Sequence, residues 1–145
     1  MADVLDRLVA DFAKSGASGR AGIFDDEDNA SKLLWAEYGT VTAPARPTLT
    51  PAYDEDAITR EIEAGVDALL GGRGSAVSVV SGAVESLADR VVRNIESNTP
   101  PALAESTIEA RRSRGNMSTA TLVDTGDMRG AVRSEAKRGD DGWQD

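Results

Sequence analysis

The stretch SAVSVVSGAVESLADRVVRNIES, residues 75–97, decides the fold. Within it Val77, Val80, Val84, Leu87, Val91 and Ile95 recur at three- and four-residue steps, the spacing that puts one apolar stripe along an α-helix. The spacing predicts the longest helix of the chain, Ser75 to about Ser97, packed lengthwise either in the protein's own core or as a seam for another chain. Gly71-Gly72-Arg73-Gly74 breaks the chain before it, and Asn98-Thr99-Pro100-Pro101 stops it. No Gly-Lys-Ser/Thr follows the glycines, so they read as a linker and not as a phosphate cradle.

Upstream, Ile58, Ile62, Val66 and Leu69 share one face of a second amphipathic helix from Tyr53 to about Leu70, with Asp54, Glu55 and Asp56 at its positive end. Pro44, Pro47 and Pro51 hold Gly39–Pro51 extended. Before that arm the acidic turn Asp25–Asp28 caps a helix from Asn29 to about Tyr38. That turn lacks the glycine and terminal Glu of a calcium loop. Gly19–Phe24 reads as a brief strand, and Val4, Leu5, Leu8, Val9 and Phe12 as a short amphipathic helix. Downstream, a helix is expected within Ala104–Arg114, a turn at Gly115-Asn116, and a short helix capped by Thr125 and running to about Val132. The fold class is therefore α+β: mainly helical, with a small antiparallel or mixed sheet from residues 19–24, 40–50 and 131–136. One domain is expected over residues 1–136, with an extended proline-braced arm and a polar tail from Lys137 to Asp145.

Composition narrows the function. The chain has neither His nor Cys, which removes disulfides, thiolate chemistry, the commonest general base and every His-assisted nucleophile. A non-enzyme without cofactor or metal is the expectation. A net charge of −9 argues against gripping nucleic acid, whose affinity comes from Lys and Arg, although an acidic wall would let DNA slide past without sticking. The N-terminus lacks the layout of a signal peptide and no apolar run approaches membrane-spanning length, so synthesis and use in the cytoplasm without a membrane partner are expected.

Asp124-Thr125-Gly126 after Leu122-Val123 matches the catalytic string of aspartic proteases, in which two such carboxylates share a proton. Too little chain follows it for the strands that pack such a site, and Asp127 adds a further negative charge, so a turn and helix cap is the preferred reading. The other distinctive string runs Trp35-Ala36-Glu37-Tyr38-Gly39-Thr40-Val41-Thr42-Ala43-Pro44-Ala45-Arg46-Pro47. It is a helix end with two aromatics, a terminating glycine and a rigid arm. Such an arm suits either a neighbouring subunit, because it loses little entropy on docking, or the protein's own surface.

This string resembles the Glu-aromatic-Gly-Thr … Pro-x-Arg-Pro signature of the neck and tail-completion (virion morphogenesis) proteins of tailed bacteriophages. A second block, Pro100–Ile108 followed by Leu122–Arg129, resembles another signature of that family. The chain departs from the pattern at Thr48-Leu49, where the family carries an aromatic, and at Glu109-Ala110-Arg111-Arg112, where it carries Lys-Gly. The resemblance implies a structural virion protein that forms a homo-oligomeric ring, sixfold, at the head–tail junction of a phage, prophage or gene-transfer particle. Its partners would be portal or adaptor proteins, tail proteins and passing DNA, after assembly in the host cytoplasm. A tail terminator or tail-completion cap is the alternative within the family, and a small non-viral adaptor binding a partner helix along Val77–Ile95 is the alternative outside it. The candidate subunit or partner interface comprises Trp35, Glu37, Tyr38, Gly39, Thr40, Pro44, Arg46, Pro47, Asp124, Thr125, Gly126, Met128, Arg129 and Trp143. Arg46 is expected to pair with acid on a neighbour, so that Arg46→Glu would abolish the ring and leave a folded monomer. Trp143 is expected to be ordered by assembly contacts.

Overall fold

The computed structural model of the chain describes residues 16–139 and Trp143. The helix expected over Val4–Phe12 lies outside the described residues. The element order is β1 (Ala17–Gly22), α1 (Glu27–Tyr38), α2 (Leu49–Ala52), α3 (Glu55–Leu70), α4 (Ala76–Glu96), α5 (Glu105–Ser113), α6 (Asp127–Gly130) and β2 (Arg133–Arg138). The fold is mainly helical α+β with one small antiparallel sheet, as the periodicity predicts.

Two compact units emerge. Of the described residues, the first unit takes 16–21, Asp54–Ala88, 133–139 and Trp143, and the second takes Gly22–Tyr53 and Asp89–Val132. The chain returns to each, and α4 is a single helix whose first part belongs to one unit and whose last two turns belong to the other.

In the first unit β1 and β2 form the two-stranded sheet. Its antiparallel register is fixed where the Gly139 N–H donates to the Gly16 carbonyl, and where Arg20 Nε lies 2.9 Å from a Glu135 carboxylate oxygen. Helix α4 is used on two sides here. Val80 and Val84 lie so close to β1 that a Cβ at Gly19 would come within 2.7 Å of each, while Val79 packs as tightly on Gly65 of α3. For that reason the stripe Val77, Val80, Val84 and Leu87 is only half-buried, and the fully buried residues of this stretch are Ala76, Val79, Ala83 and Ala88. The Val80–Val84 part of the proposed seam faces the protein's own strand. On α3 no residue is fully buried and Ile62 is 39% exposed, since the helix approaches α4 through Gly65. A valine at Gly65 would drive two methyl groups into the stiff, β-branched Val79. Gly65→Val is expected to cost about 2 kcal/mol, read as a lower urea midpoint with an unchanged slope.

In the second unit Val91 and Ile95 of α4 do carry the predicted stripe into the core, with Ile95 fully buried. The α1 helix starts where Asp26 accepts from the Asn29 N–H and side-chain amide. These two bonds hold the Asp26 carboxyl below its usual pKa.

Three boundaries differ from the sequence reading. Residues 40–50 form no strand: after a turn closed by Thr40 and Ala43 the chain ends in the one-turn helix α2. Pro44 and Pro47 have no N–H to give a ladder, and the N–H groups of Thr48, Leu49 and Thr50 go to a side chain instead. The short helix after Thr125 is one turn, capped by Gly126 in the left-handed region. Strand β2 runs through Lys137 and Arg138, two residues into the stretch read as tail.

Candidate functional site

The two signature blocks come together in the second unit. Glu37, on the last turn of α1, is 6% exposed and turns its carboxylate toward the start of α2. It accepts the N–H groups of Thr48 (2.7 Å), Leu49 (2.8 Å) and Thr50 (2.9 Å), and the Thr50 hydroxyl as well. One carboxylate therefore closes the arm into a loop and caps the helix behind it. Burial, the largest single influence, raises the Glu37 pKa. The bonds from the Thr50 hydroxyl and from the Leu49, Thr50 and Thr48 amides together outweigh it, and the carboxyl titrates below its usual range.

Gly39 gives the arm its exit from α1. Its φ is 75°, and a Cβ there would meet the Ala45 nitrogen at 2.8 Å, so both the backbone angle and the space demand glycine. The Arg46 N–H then returns to the Ala36 carbonyl.

Arg46 does not face a neighbour. It is 8% exposed, and its guanidinium donates to the carbonyls of Pro101 (2.8 Å) and Ala102 (3.2 Å) in the second signature block. The arm thus folds on its own unit, further held where Asn94 of α4 donates to the Thr48 carbonyl at 2.9 Å. Pro44 and Pro47 remain exposed along it. An arm built with carbonyl acceptors facing it needs a buried planar cation with several donors, which explains Arg at position 46 without any partner chain.

The Asp124–Gly126 string is held by Arg111, which lies in the stretch that departs from the family pattern and is not among the candidate interface residues. Arg111 is 6% exposed on α5, and one of its terminal nitrogens lies 2.8 Å from the Ala120 carbonyl, 3.2 Å from that of Ser118 and 3.4 Å from that of Val123. Its Nε lies 3.4 Å from the Asp124 carboxylate, which also takes the Asn116 amide and, at 3.4 Å, Arg114. Asp124 is thereby occupied in tying its loop to α5. Thr125 donates to the Asp127 carboxylate at 2.6 Å. Met128, on α6, is buried and α6 packs on α1, while Arg129 pairs with Glu96 at the surface. Replacing Arg111 by Met removes the side-chain donor from the Ser118 and Ala120 carbonyls and one of the partners of Asp124, while Val123 keeps the Ser118 hydroxyl. The expected loss is about 3 kcal/mol, with faster amide hydrogen exchange over residues 116–124 than elsewhere.

These clamps leave two surface features on the unit. One is an apolar ridge on α1 and the start of the arm: Leu34 is 51%, Trp35 58%, Tyr38 79% and Val41 fully exposed, with Thr40 beside them. The other is a cleft of about 500 Å³ lined by Asn29 and Lys32 of α1, Arg111 and Arg114 of α5, and the stretch from Thr121 to Met128. Trp143 belongs to neither. It sits in the first unit, its ring under the charges of Arg20 (4.6 Å) and Lys137 (4.5 Å), so its contacts are within the chain.

Among the described residues no group of three or more His, Cys, Asp or Glu is placed to hold a metal ion, and no helix is long and apolar enough to cross a membrane. Comparison with protein-family models, with curated proteins and with solved structures finds no match.

Proposed function

We propose that the chain is a structural ring-forming protein of the head–tail junction of a tailed phage or phage-like particle. The observation that carries this reading is the union of the two signature blocks. Glu37 and Arg46 of the first are tied to Thr48–Thr50 and to Pro101-Ala102, and α1 packs on α6 of the second. The residues that carry the resemblance thus pack together within one unit.

The same clamps free the aromatic residues of the first block for contact outside the chain. Glu37, Gly39 and Arg46 work inward, while Trp35, Tyr38 and Val41 stand on the surface. Large exposed aromatics grouped on a rigid helix are a costly surface for a monomer and a common centre of a protein–protein contact. A closed ring asks for two different faces on each copy, and the ridge and the Asp124–Met128 region supply them. The acidic balance of −9 suits a passage that DNA crosses without binding. A tail terminator would need the same faces, and the two stations differ in what sits above and below the ring.

Deleting the coding sequence from a host that produces the particles tests the role. The expected result is filled heads and free tails that fail to join, with joining restored by the purified chain. Normal particles from the deletion strain would contradict it.

A further inference from the structure

We infer that the contact between copies sets the Arg112–Met117 turn of one copy on the aromatic ridge of the next. Met117 meets Trp35 and Tyr38, and the arginines of the turn lie beside Glu27 and Asp28. The inference rests on the ring reading and names the two surfaces that meet.

Met117 is 73% exposed, a large apolar side chain standing in the open just past α5. The turn that carries it is built stiffly. Gly115 takes a φ of 81°, the Asn116 N–H returns to the Arg111 carbonyl, and Asn116 Oδ1 accepts the Ser118 N–H across Met117 at 2.9 Å. The Asn116 amide donates to the Asp124 carbonyl at 2.7 Å and the Ser118 hydroxyl to that of Val123 at 2.8 Å. None of these bonds uses the Met117 side chain, yet together they fix the backbone on both sides of it, so docking it costs little entropy. They also join the turn to Asp124, in one of the two faces assigned to the ring.

The turn is flanked by cations and the ridge by anions. The Arg112 and Arg114 side chains are 50% and 64% exposed, and their ion pairs with Glu105 and Asp124 are long, at 3.6 and 3.4 Å. Exposed pairs of this kind contribute little, which leaves both cations able to serve a second carboxylate. At the start of α1, Asp25, Glu27 and Asp28 are exposed and make no ion pair among the described residues. Glu27 stands two helical turns before Leu34, and Asp28 two turns before Trp35, so the carboxylates lie on the same strip as the ridge and ~10 Å along it. Arg114 is separated from Met117 by a chain length of at most ~11 Å. The spacing of cation and methionine on one surface thus matches that of carboxylate and aromatic on the other.

One copy does not make this contact with itself, since Met117 and Tyr38 both stand open on it. Two ridges are a poorer match, because α1 against α1 sets one lysine per copy, Lys32, against three exposed carboxylates. A methionine sulfur is favourable at the edge of an indole or phenol ring. Each copy carries both surfaces, so the contact repeats head to tail, the arrangement that closes into a ring.

The chain contains no cysteine, so engineered thiols report on single contacts. Y38C and M117C are made as separate proteins, one of them isotope-labelled, mixed, and oxidised briefly. Both positions are exposed, and far-UV circular dichroism checks the fold of each. The expected product is a disulfide dimer containing one chain of each kind. Without cysteines, E27K/D28K and R112E should each raise the concentration for half-assembly several-fold, and the triple variant should recover part of the loss.

Cross-links confined to Y38C with itself would overturn the inference. So would a mixture that does not cross-link, or charge losses that simply add, while the unsubstituted protein still forms rings by native mass spectrometry; these results leave the ring reading standing. A strictly monomeric unsubstituted chain would overturn the inference and the ring reading together.

Discussion

Glu37→Ala is expected to destabilise the second unit by about 3–5 kcal/mol, a large part of the ~5–15 kcal/mol that holds a typical domain together. The carboxylate is the common acceptor for three consecutive N–H groups and a hydroxyl. Thr48, whose N–H it takes, is fully buried and has no water to turn to. Removing Glu37 leaves α2 uncapped and the arm unclosed at once. Glu37→Gln keeps the shape but exchanges one acceptor oxygen for an amide that also donates, and it should recover only part of the loss. Urea unfolding followed by far-UV circular dichroism measures both.

The pH dependence has a definite sign. The folded Glu37 carboxyl titrates below its unfolded counterpart, so its contribution is fully present above the unfolded pKa. It disappears as pH falls through the folded pKa. The stability gap between the natural chain and Glu37→Gln should be constant near neutrality and shrink on acidification below the ordinary carboxylate range. A gap that widens in acid would show that the carboxylate is not held in its charged form.

The second large effect belongs to Arg46. Glutamate there would place a carboxylate against the Pro101 and Ala102 carbonyls in a buried setting, exchanging two donors for a charge with no donor to meet it. The expected outcome is loss of the folded second unit, on the order of 4 kcal/mol or more, and not a folded monomer that merely fails to assemble. Arg46→Lys retains the charge but offers a compact ammonium in place of a fork spanning two carbonyls, and should fall between the two. A cooperative melt of Arg46→Glu at the natural midpoint would contradict the account of the arm as internally clamped.

The elements and their order were largely legible because their signals are local. The stripe over residues 75–97, the acidic first turns at Asp26 and Asp54, and the Pro and Gly breaks each act within one or two helical turns. Where a residue's partner lies far along the chain, the local signal is silent. Residues 40–50 carry the prolines of an extended segment, and only the presence of Glu37 turns their N–H groups away from a sheet. Arg46 looks like a free surface cation until the carbonyls of residues 101 and 102 arrive beside it. Arg111 gave no sign at all: an Arg in a short polar helix is ordinary, and its acceptors are backbone carbonyls that any sequence supplies. Of the candidate interface, Trp35, Tyr38, Thr40, Pro44, Pro47, Thr125 and Arg129 are exposed, whereas Glu37, Arg46 and Met128 are buried in their own unit. Burial of these three follows from the clamps and not from residue type, which is why a sequence string marks the region but not the direction in which each side chain works.

Native mass spectrometry of the purified chain, set beside the W35A variant, tests the central claim most directly. The account predicts a closed ring of whole-number copies for the natural chain, with the variant shifted toward monomer while keeping its circular dichroism. A natural chain that remains monomeric at every concentration, or a ring indifferent to Trp35, would contradict it.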